Sequence, residues 1–266
     1  MTDAQIREVA TKVPLLTLGF WIVKILATTL GETAGDTVTM TWLGETTPDA
    51  EASAVSGYLL GTLLFGIPLV ALVWAQIRAT AFHPWLYWAT IIASTTLGTT
   101  LADFATRSIG IGYPGGSLLL LALVLLSLGA WYRTLGSVSV DTLVGPKAET
   151  FYWITITISQ TLGTALGDWI ADGPLGYGGS AMIFGGLLAI LAALYFWTAI
   201  SRVVLFWAAF ILTRPLGATV GDFLDKPVAS GGLEFSRPLA SAVLIGVIAL
   251  LIAILPQRAG KHPGTD

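Results

Sequence analysis

The chain contains no cysteine, which excludes disulfide bonds and thiolate metal ligands and leaves no marker of the redox compartment. Charge is also scarce, because charged residues make up only 11% of the sequence, against about 25% in a soluble domain. So few charges cannot cover the surface of a globule of 266 residues. No run of basic residues is present, so we predict that nucleic acid is not a partner.

Apolar residues, by contrast, make up 55% of the chain, and the mean hydropathy is +0.79. Short polar breaks separate apolar segments of the length that crosses a bilayer, which is about 20 residues for a helix. Eight such segments can be drawn, at residues 14–36, 54–77, 84–104, 117–132, 149–169, 179–200, 201–223 and 238–255. They predict an all-α membrane protein with eight transmembrane helices in a single domain, residues 1–266, with tails at 1–13 and 256–266. Membrane lipid is therefore an expected partner.

These segments contain an internal repeat. The stretch Leu30-Gly31-Glu32-Thr33-Ala34-Gly35-Asp36 returns three more times, in similar stretches that end at Asp103, Asp168 and Asp222. A tryptophan lies fifteen residues before each aspartate, at Trp21, Trp88, Trp153 and Trp207. Repetition at a fixed spacing predicts repeated structural units. We predict four parallel, pseudo-symmetric helical hairpins, at about residues 14–79, 84–133, 149–200 and 201–255.

This four-fold repetition, with two spans and one marked tryptophan in each unit, resembles a family of bacterial membrane proteins defined by a repeat of unknown function. The resemblance covers the chain from about Pro14 to Ile254. It implies an architecture of four two-span repeats and a location in the bacterial inner membrane. It implies no reaction and no substrate.

Basic residues predict the orientation of the chain in that membrane. Eight lie on the side of both termini: Arg7, Lys12, Arg78, Arg133, Lys147, Arg202, Arg258 and Lys261. The opposite side has three: Arg107, Lys226 and Arg237. By the positive-inside rule both termini are cytoplasmic and the four aspartates lie toward the outside. The ten tryptophans lie near the ends of the segments, so we expect them to form an interfacial belt.

Small residues recur at a spacing of four within the repeated stretch. The pairs are Gly31 and Gly35, Gly98 and Ala102, Gly163 and Gly167, and Gly217 and Gly221. On a helix such a pair forms a notch in which a second backbone can approach closely. We therefore predict that the four helices with the motif form an inner ring and that the second helix of each repeat mostly faces lipid.

A polar stripe runs beside this notch. Counted from each tryptophan, the seventh position holds Thr28, Thr95, Gln160 and Arg214, and the eleventh holds Glu32, Thr99, Thr164 and Ala218. Positions seven, eleven and fifteen share one helix face, so the stripe predicts a polar path that ends in the four aspartates. Two alternatives stay open. The threonines could bond their own helix carbonyls, and the aspartates could clasp the bundle instead of attracting a cation.

Three charged residues interrupt the four-fold pattern. Glu32 and Arg214 replace threonines, and Lys24 lies two turns before Glu32 on the same stripe. An unpaired charge costs at least about 2.5 kcal/mol inside a membrane, so we predict an ion pair between Glu32 and Arg214 at the contact of the first and last repeats. The pair is either a permanent lock or a bridge that a cation or proton at Glu32 opens.

The sequence favours an inner-membrane secondary transporter for a cation, or for a small solute coupled to a cation or proton. Glu32 and the four aspartates would bind the cation, with Glu32 and Asp36 as the predicted metal ligands. Lys24 and Arg214 would supply counter-charge and oppose free flow, which favours a carrier over a channel. The residues predicted to line the path are Thr28, Thr95, Thr99, Gln160 and Thr164.

Oxygen ligands suit Mg²⁺, Ca²⁺ or Mn²⁺, and no cofactor is expected beyond such a transported ion. The alternative is a membrane scaffold or sensor whose polar stripe only locks the bundle. An enzyme is not predicted, because no catalytic motif stands in a suitable context. No oligomeric state is predicted.

Overall fold

A computed structural model of the chain describes residues 11–45, 57–109 and 111–260. These residues form eight α-helices: α1 (Leu18–Asp36), α2 (Gly57–Arg78), α3 (Pro84–Asp103), α4 (Gly112–Leu135), α5 (Pro146–Ala171), α6 (Gly176–Trp197), α7 (Arg202–Asp225) and α8 (Arg237–Ile254). The described part has no β-strand beyond one isolated bridge between Pro14 and Ala259, so the all-α class is confirmed there. Most of both predicted tails, including Arg7 and Lys261, lies outside the described residues.

Five of the helices, α2, α4, α6, α7 and α8, are long and apolar enough to cross a membrane. In the other three, α1, α3 and α5, threonine and charged residues make up a larger share of the helix than in these five. Their polar residues are mostly buried inside the bundle, so these helices are polar toward the protein centre and not toward its outside.

The odd-numbered helices form the predicted inner ring, in the order α1, α3, α5, α7 and back to α1. The even-numbered helices lie outside this ring and leave most of their apolar side chains exposed. Glycines of the notches contact the next repeat in the same cyclic order: Gly31 faces Thr95, Gly98 faces Gln160, Gly163 faces Arg214, and Gly217 faces Thr28. A Cβ on Gly31 would lie 2.5 Å from Thr95 Cγ2, so a larger residue has no room there.

The second glycine of the notch is used in a similar way. Gly35 faces Thr99, Gly167 faces Ala218, and Gly221 faces Glu32. The notch of each inner helix therefore contains the residue at position seven of the next repeat. In these three cases it also contains the residue at position eleven. Close approach of backbones through small residues is the usual packing mode of membrane helices.

The even-numbered helices differ from the predicted hairpins in their packing partners. Each packs mainly along the inner helix of the next repeat: α2 along α3, α4 along α5, α6 along α7, and α8 along α1. After α1 and α3 the chain continues in π-helical turns, Thr37–Trp42 and Phe104–Ser108, before it reaches the outer helix. The short connection between α5 and α6 leaves these two helices in closer contact.

The glycine-rich residues just before the predicted segments 117–132 and 179–200 are the first turns of α4 and α6. Gly112 and Gly176 begin these helices with φ of +66° and +59°, a backbone conformation that glycine adopts without strain. Pro114 lies in the first turn of α4, where a missing backbone N–H costs little. The positive φ of each glycine reverses the direction of the chain, and the helix follows directly.

The predicted tryptophan belt is wrong for four tryptophans. Trp88, Trp131, Trp153 and Trp207 are at most 5% exposed and belong to an aromatic cluster at the end of the bundle where the chain termini pair. Trp88 Nε1 donates to Gln257 Oε1 at 3.2 Å, and Trp207 Nε1 donates to Val138 O at 2.9 Å. Their N–H groups therefore bond protein atoms. Five others are exposed as expected: Trp42, Trp74, Trp85, Trp169 and Trp197.

Candidate functional site

The inner faces of the ring carry side chains at every fourth residue, and these meet in five levels along one axis. A spacing of four residues corresponds to about 6 Å along a helix. From the tryptophan end, the first three levels are the aromatic level (Phe20, Tyr87, Tyr152, Phe206), the lysine level (Lys24, Ile91, Ile156, Phe210) and the arginine level (Thr28, Thr95, Gln160, Arg214).

The remaining two levels are the glutamate level (Glu32, Thr99, Thr164, Ala218) and the aspartate level (Asp36, Asp103, Asp168, Asp222). Every residue of the five levels is at most 6% exposed. The axis is therefore shielded from the outside along these five levels. Its character changes from aromatic at one end to acidic at the other.

Aromatic rings close the tryptophan end of the axis. Tyr87 and Tyr152 join their hydroxyl groups by a hydrogen bond of 2.7 Å, and both side chains are fully buried. Phe20 packs against Tyr87 and Trp88 with ring centroids 6.5 and 5.4 Å apart. This level leaves no polar route toward the termini among the described residues.

Arg214 occupies the centre of the ring and bonds all three of the other inner helices. Its Nη1 donates to Thr28 O at 3.1 Å. Its Nη2 lies 2.8 Å from Glu32 Oε2 and 2.5 Å from the hydroxyl oxygens of Thr99 and Thr164. The predicted ion pair between Glu32 and Arg214 is therefore present. The guanidinium, which presents several donors in one plane, thus donates from both of its terminal nitrogens to the other three repeats.

The aspartates are held in two pairs by two basic residues. Lys226 Nζ lies 2.5 Å from Asp36 Oδ2 and 3.0 Å from Asp222 Oδ1. Arg107 bridges the other pair, with its Nε 2.9 Å from Asp103 Oδ1 and its Nη2 3.4 Å from Asp168 Oδ2. A carboxylate near a helix C-terminus is disfavoured by the helix dipole, and these two cations offset that cost.

Three carboxylates gather more closely than the rest. Glu32, Asp36 and Asp222 each offer an oxygen within 4.8 Å of the other two, and all three side chains are buried. Asp36 Oδ1 has no hydrogen-bond partner among the described residues. The two predicted metal ligands, Glu32 and Asp36, are thus brought together, with Asp222 as a third.

Charge does not balance at this end of the axis. Five carboxylates, of Glu32 and the aspartate level, face three basic side chains, of Arg107, Arg214 and Lys226. When all are ionised, the part of the cluster that the structure describes carries two more negative than positive charges. Buried charges without compensation are costly, so the cluster is suited to take up protons or a cation.

The predicted path-lining residues divide into two groups. The hydroxyl groups of Thr28, Thr99 and Thr164 donate to helix carbonyls, as Thr28 Oγ1 does to Ile25 O at 2.7 Å. The hydroxyl oxygens of Thr99 and Thr164 also accept from Arg214. Thr95 Oγ1 and both amide atoms of Gln160 have no hydrogen-bond partner within the described ranges. All three threonines also bond a carbonyl of their own helix, as that interpretation predicts, whereas it leaves Gln160 unexplained.

Lys24 differs from the other buried basic residues. Its ammonium is fully buried, lies 4.1 Å from the centroid of the Phe210 ring, and has no hydrogen-bond or ion-pair partner among residues 11–45, 57–109 and 111–260. The structure therefore does not bring it to Glu32, the carboxylate two turns away on its own helix.

A groove of 740 Å³ lies beside the axis, between α1, α6 and α7. It is lined mainly by apolar side chains, among them Leu15, Ile25, Leu188 and Phe196. Of the residues in the five levels, only Phe206 borders it. The groove is thus an outer feature, separated from the charged cluster by the inner helices.

Sequence reasoning missed Arg107 and Lys226 as members of the site and used them only for orientation. Each stands four residues after an aspartate of the repeat, Asp103 or Asp222. The equivalent positions in the other repeats are Met40 and Asp172. Residues four apart share a helix face, so this alternation along the repeats was a usable signal.

A family model described as Repeat of Unknown Function (DUF347) matches four consecutive stretches, residues 19–82, 86–137, 151–201 and 205–257. The predicted resemblance to a family of four such repeats is confirmed by this match. No curated protein matches the chain. No solved structure matches it.

Proposed function

We propose a function from the premise that the chain belongs to the Repeat of Unknown Function (DUF347) family, whose four copies here surround one charged axis. The proposed function is secondary transport of a cation, or of a small solute coupled to a cation or proton, across the bacterial inner membrane. All eight helices would cross the membrane, with both termini cytoplasmic. The five apolar helices and the basic residues near the termini support this placement.

One observation carries the proposal: the buried cluster of Glu32, Asp36 and Asp222, whose oxygens lie within 4.8 Å of one another. Ionisable groups inside a membrane protein are costly and mark ion or substrate paths. The excess of two negative charges matches one divalent cation or two protons. Oxygen ligands of this kind suit Mg²⁺, Ca²⁺ or Mn²⁺, and the carboxylates also suit protons.

In this function Lys226 would compete with the transported cation for the carboxylates. Its ammonium lies between Asp36 and Asp222, where an incoming cation would also be attracted. A divalent cation would displace the ammonium. Release of the lysine would then change the position of the end of α7. This gives the coupling between ion binding and helix position that a carrier requires.

A carrier fits the axis better than a channel. Arg214 fills the centre and the aromatic level closes one end, so ions have no continuous route in this conformation. Arg107, whose side chain is 19% exposed, gives the aspartate level its nearest approach to the outside of the protein. The described conformation therefore corresponds to an occluded carrier whose cation would enter from the aspartate end.

The test is transport by the purified protein in proteoliposomes, with Mn²⁺, Mg²⁺ and Ca²⁺ outside, with and without a pH gradient. We expect uptake of at least one ion, and its loss in Asp36→Asn and Glu32→Gln at normal expression. Asp141→Asn, an exposed carboxylate in the connection before α5, serves as the matched control and keeps uptake. Uptake that is unchanged in both cluster variants would refute the proposed site.

One observation favours a second candidate, a scaffold or sensor. Arg214 ties α7 to each of the other inner helices, as a purely structural lock would. A scaffold predicts no ion flux under any gradient and no ion-dependent change in stability. Binding and flux measured on the same preparation separate the two functions.

A further inference from the structure

Lys24 is the buried charge that the cation cluster leaves unused. Its side chain is fully buried at the lysine level, where the other three residues, Ile91, Ile156 and Phe210, are apolar. The Phe210 ring, 4.1 Å from the ammonium, offers a cation–π contact. An ammonium in a membrane interior also needs hydrogen-bond acceptors or a counter-ion.

The nearest carboxylate along the axis is already engaged. Glu32 is eight residues from Lys24 on α1, about 12 Å along the helix, and it is paired with Arg214 at 2.8 Å. The negative excess therefore collects at the acidic end, while Lys24 lies on the opposite side of Arg214. A cation would be repelled from this position by both basic groups.

The arginine level, one turn from Lys24, adds unused hydrogen-bond donors. Gln160 is fully buried, and neither its Nε2 nor its Oε1 has a hydrogen-bond partner among the described residues. Arg214 Nε is likewise without a hydrogen bond there. Lysine, the amide NH₂ and the guanidinium N–H supply mostly donors, against one acceptor at Gln160 Oε1. Such a set is matched by a ligand that accepts hydrogen bonds and carries negative charge.

We propose that Lys24 and Gln160 bind a small monovalent anion, which is the charged group of the transported solute. The inference rests on the proposed transport function and names its substrate class: the cation binds among Glu32, Asp36 and Asp222, and the anionic group binds on the other side of Arg214. The two levels are about 6 Å apart, which limits the bound group to the size of a halide or a carboxylate. Chloride and an organic carboxylate share this chemistry.

Binding is measured on the full-length protein in detergent, titrated with sodium chloride or sodium acetate against a sodium sulfate background of constant ionic strength, whose larger divalent anion differs from the proposed ligand. Tryptophan fluorescence is a suitable signal, because the Phe210 ring that contacts Lys24 also lies 5.9 Å from the Trp207 ring. We expect a saturable change with at least one of the two salts. Saturation by acetate alone assigns the site to carboxylates, and saturation by chloride assigns it to halides.

Lys24→Met keeps the length and apolar stem of the side chain while removing its charge. We expect it to weaken anion binding at least tenfold, about 1.4 kcal/mol, whereas Lys24→Arg retains binding. Lys147→Met, at an exposed lysine, is the matched control and leaves the affinity unchanged. Gln160→Leu, which keeps Lys24, tests the second group and is expected to weaken binding as well.

Two results would overturn the anion site: no saturable response of the unaltered protein to either salt, or equal affinities in the unaltered protein, Lys24→Met and Gln160→Leu. Asp36→Asn, which damages the cation cluster, is expected to keep the anion response. A protein that binds cations but not anions loses only this inference, and one that binds anions but not cations loses only the cation site.

Discussion

Lys226 Nζ lies 2.5 Å from Asp36 Oδ2, although the two residues belong to the last and the first repeat. The same ammonium is 3.0 Å from Asp222 on its own helix. A single basic side chain thus joins the two ends of the chain at the acidic end of the axis. It occupies the position toward which the closest group of carboxylates converges, so under the proposed function it is the residue that an entering cation would have to displace.

Replacing this lysine tests the displacement directly. In Lys226→Gln the two aspartates lose their internal cation, so the folded protein gains affinity for an external one. We expect Mn²⁺ or Ca²⁺ to raise the apparent melting temperature in detergent more for Lys226→Gln than for the unaltered protein, since a ligand that binds the folded state stabilises it. Arg202→Gln, a change at the tryptophan end, is the control. Equal shifts in all three proteins would contradict the competitor role.

Much of the inner ring can be predicted from the sequence, because it depends on one repeated spacing. The fixed distance from tryptophan to aspartate places four polar faces in register, and the small-residue pairs make these helices approach one another. The pairing of Glu32 with Arg214 then follows, since two unlike charges in the first and last repeats compensate each other when the ring closes. These inferences need only helix periodicity and the cost of unpaired charge.

Other features depend on where the chain goes after each inner helix. The pairing of Lys226 with Asp36 requires both the ring order and a chain that stays close to the axis beyond α7. Packing of the outer helices along the inner helix of the next repeat has no periodic signature in the sequence, and short polar breaks predict hairpins within one repeat instead. Burial of Trp88 was missed because a tryptophan near a span end fits a lipid interface and an aromatic cluster equally well.

The ion pair at the centre can be tested by a double replacement. Arg214→Met alone leaves Glu32 buried without a partner, and breaking a buried pair in this way costs about 3–5 kcal/mol. Glu32→Gln with Arg214→Met removes both charges and is expected to recover most of the lost stability. Thermal unfolding in detergent, followed by the fraction that remains monodisperse, measures the difference. A double variant as unstable as Arg214→Met would show that the arginine stabilises the ring without Glu32.

Glycine replacements test the cyclic packing of the inner helices. A Cβ on Gly217 would lie 2.7 Å from the backbone carbonyl carbon of Thr28, an atom that cannot move aside without shifting α1. We therefore expect Gly217→Ala to destabilise the protein by about 1–3 kcal/mol, the usual cost of overpacking. Gly246 on the outer helix α8 has no atom within 4 Å of the added Cβ, so Gly246→Ala is the control. Equal melting temperatures for the two variants would contradict the packing of α7 against α1.

The absence of cysteine makes the orientation of the chain directly measurable. Lys147 is exposed in the first turn of α5 at the tryptophan end, and Val228, 65% exposed, follows α7 at the aspartate end. In intact cells whose outer membrane is permeable to the reagent, an impermeant maleimide is expected to label Val228→Cys. Lys147→Cys is expected to react only after the inner membrane is opened, because basic residues favour the cytoplasmic side. The unaltered chain, which has no thiol, sets the background.

Labelling of both cysteines from one side would contradict a membrane between the two ends, while a reversed pattern would contradict only the orientation. Because the carboxylates lie at the end marked by Val228, the result also identifies the side from which, under the proposed function, a cation would first reach Asp36.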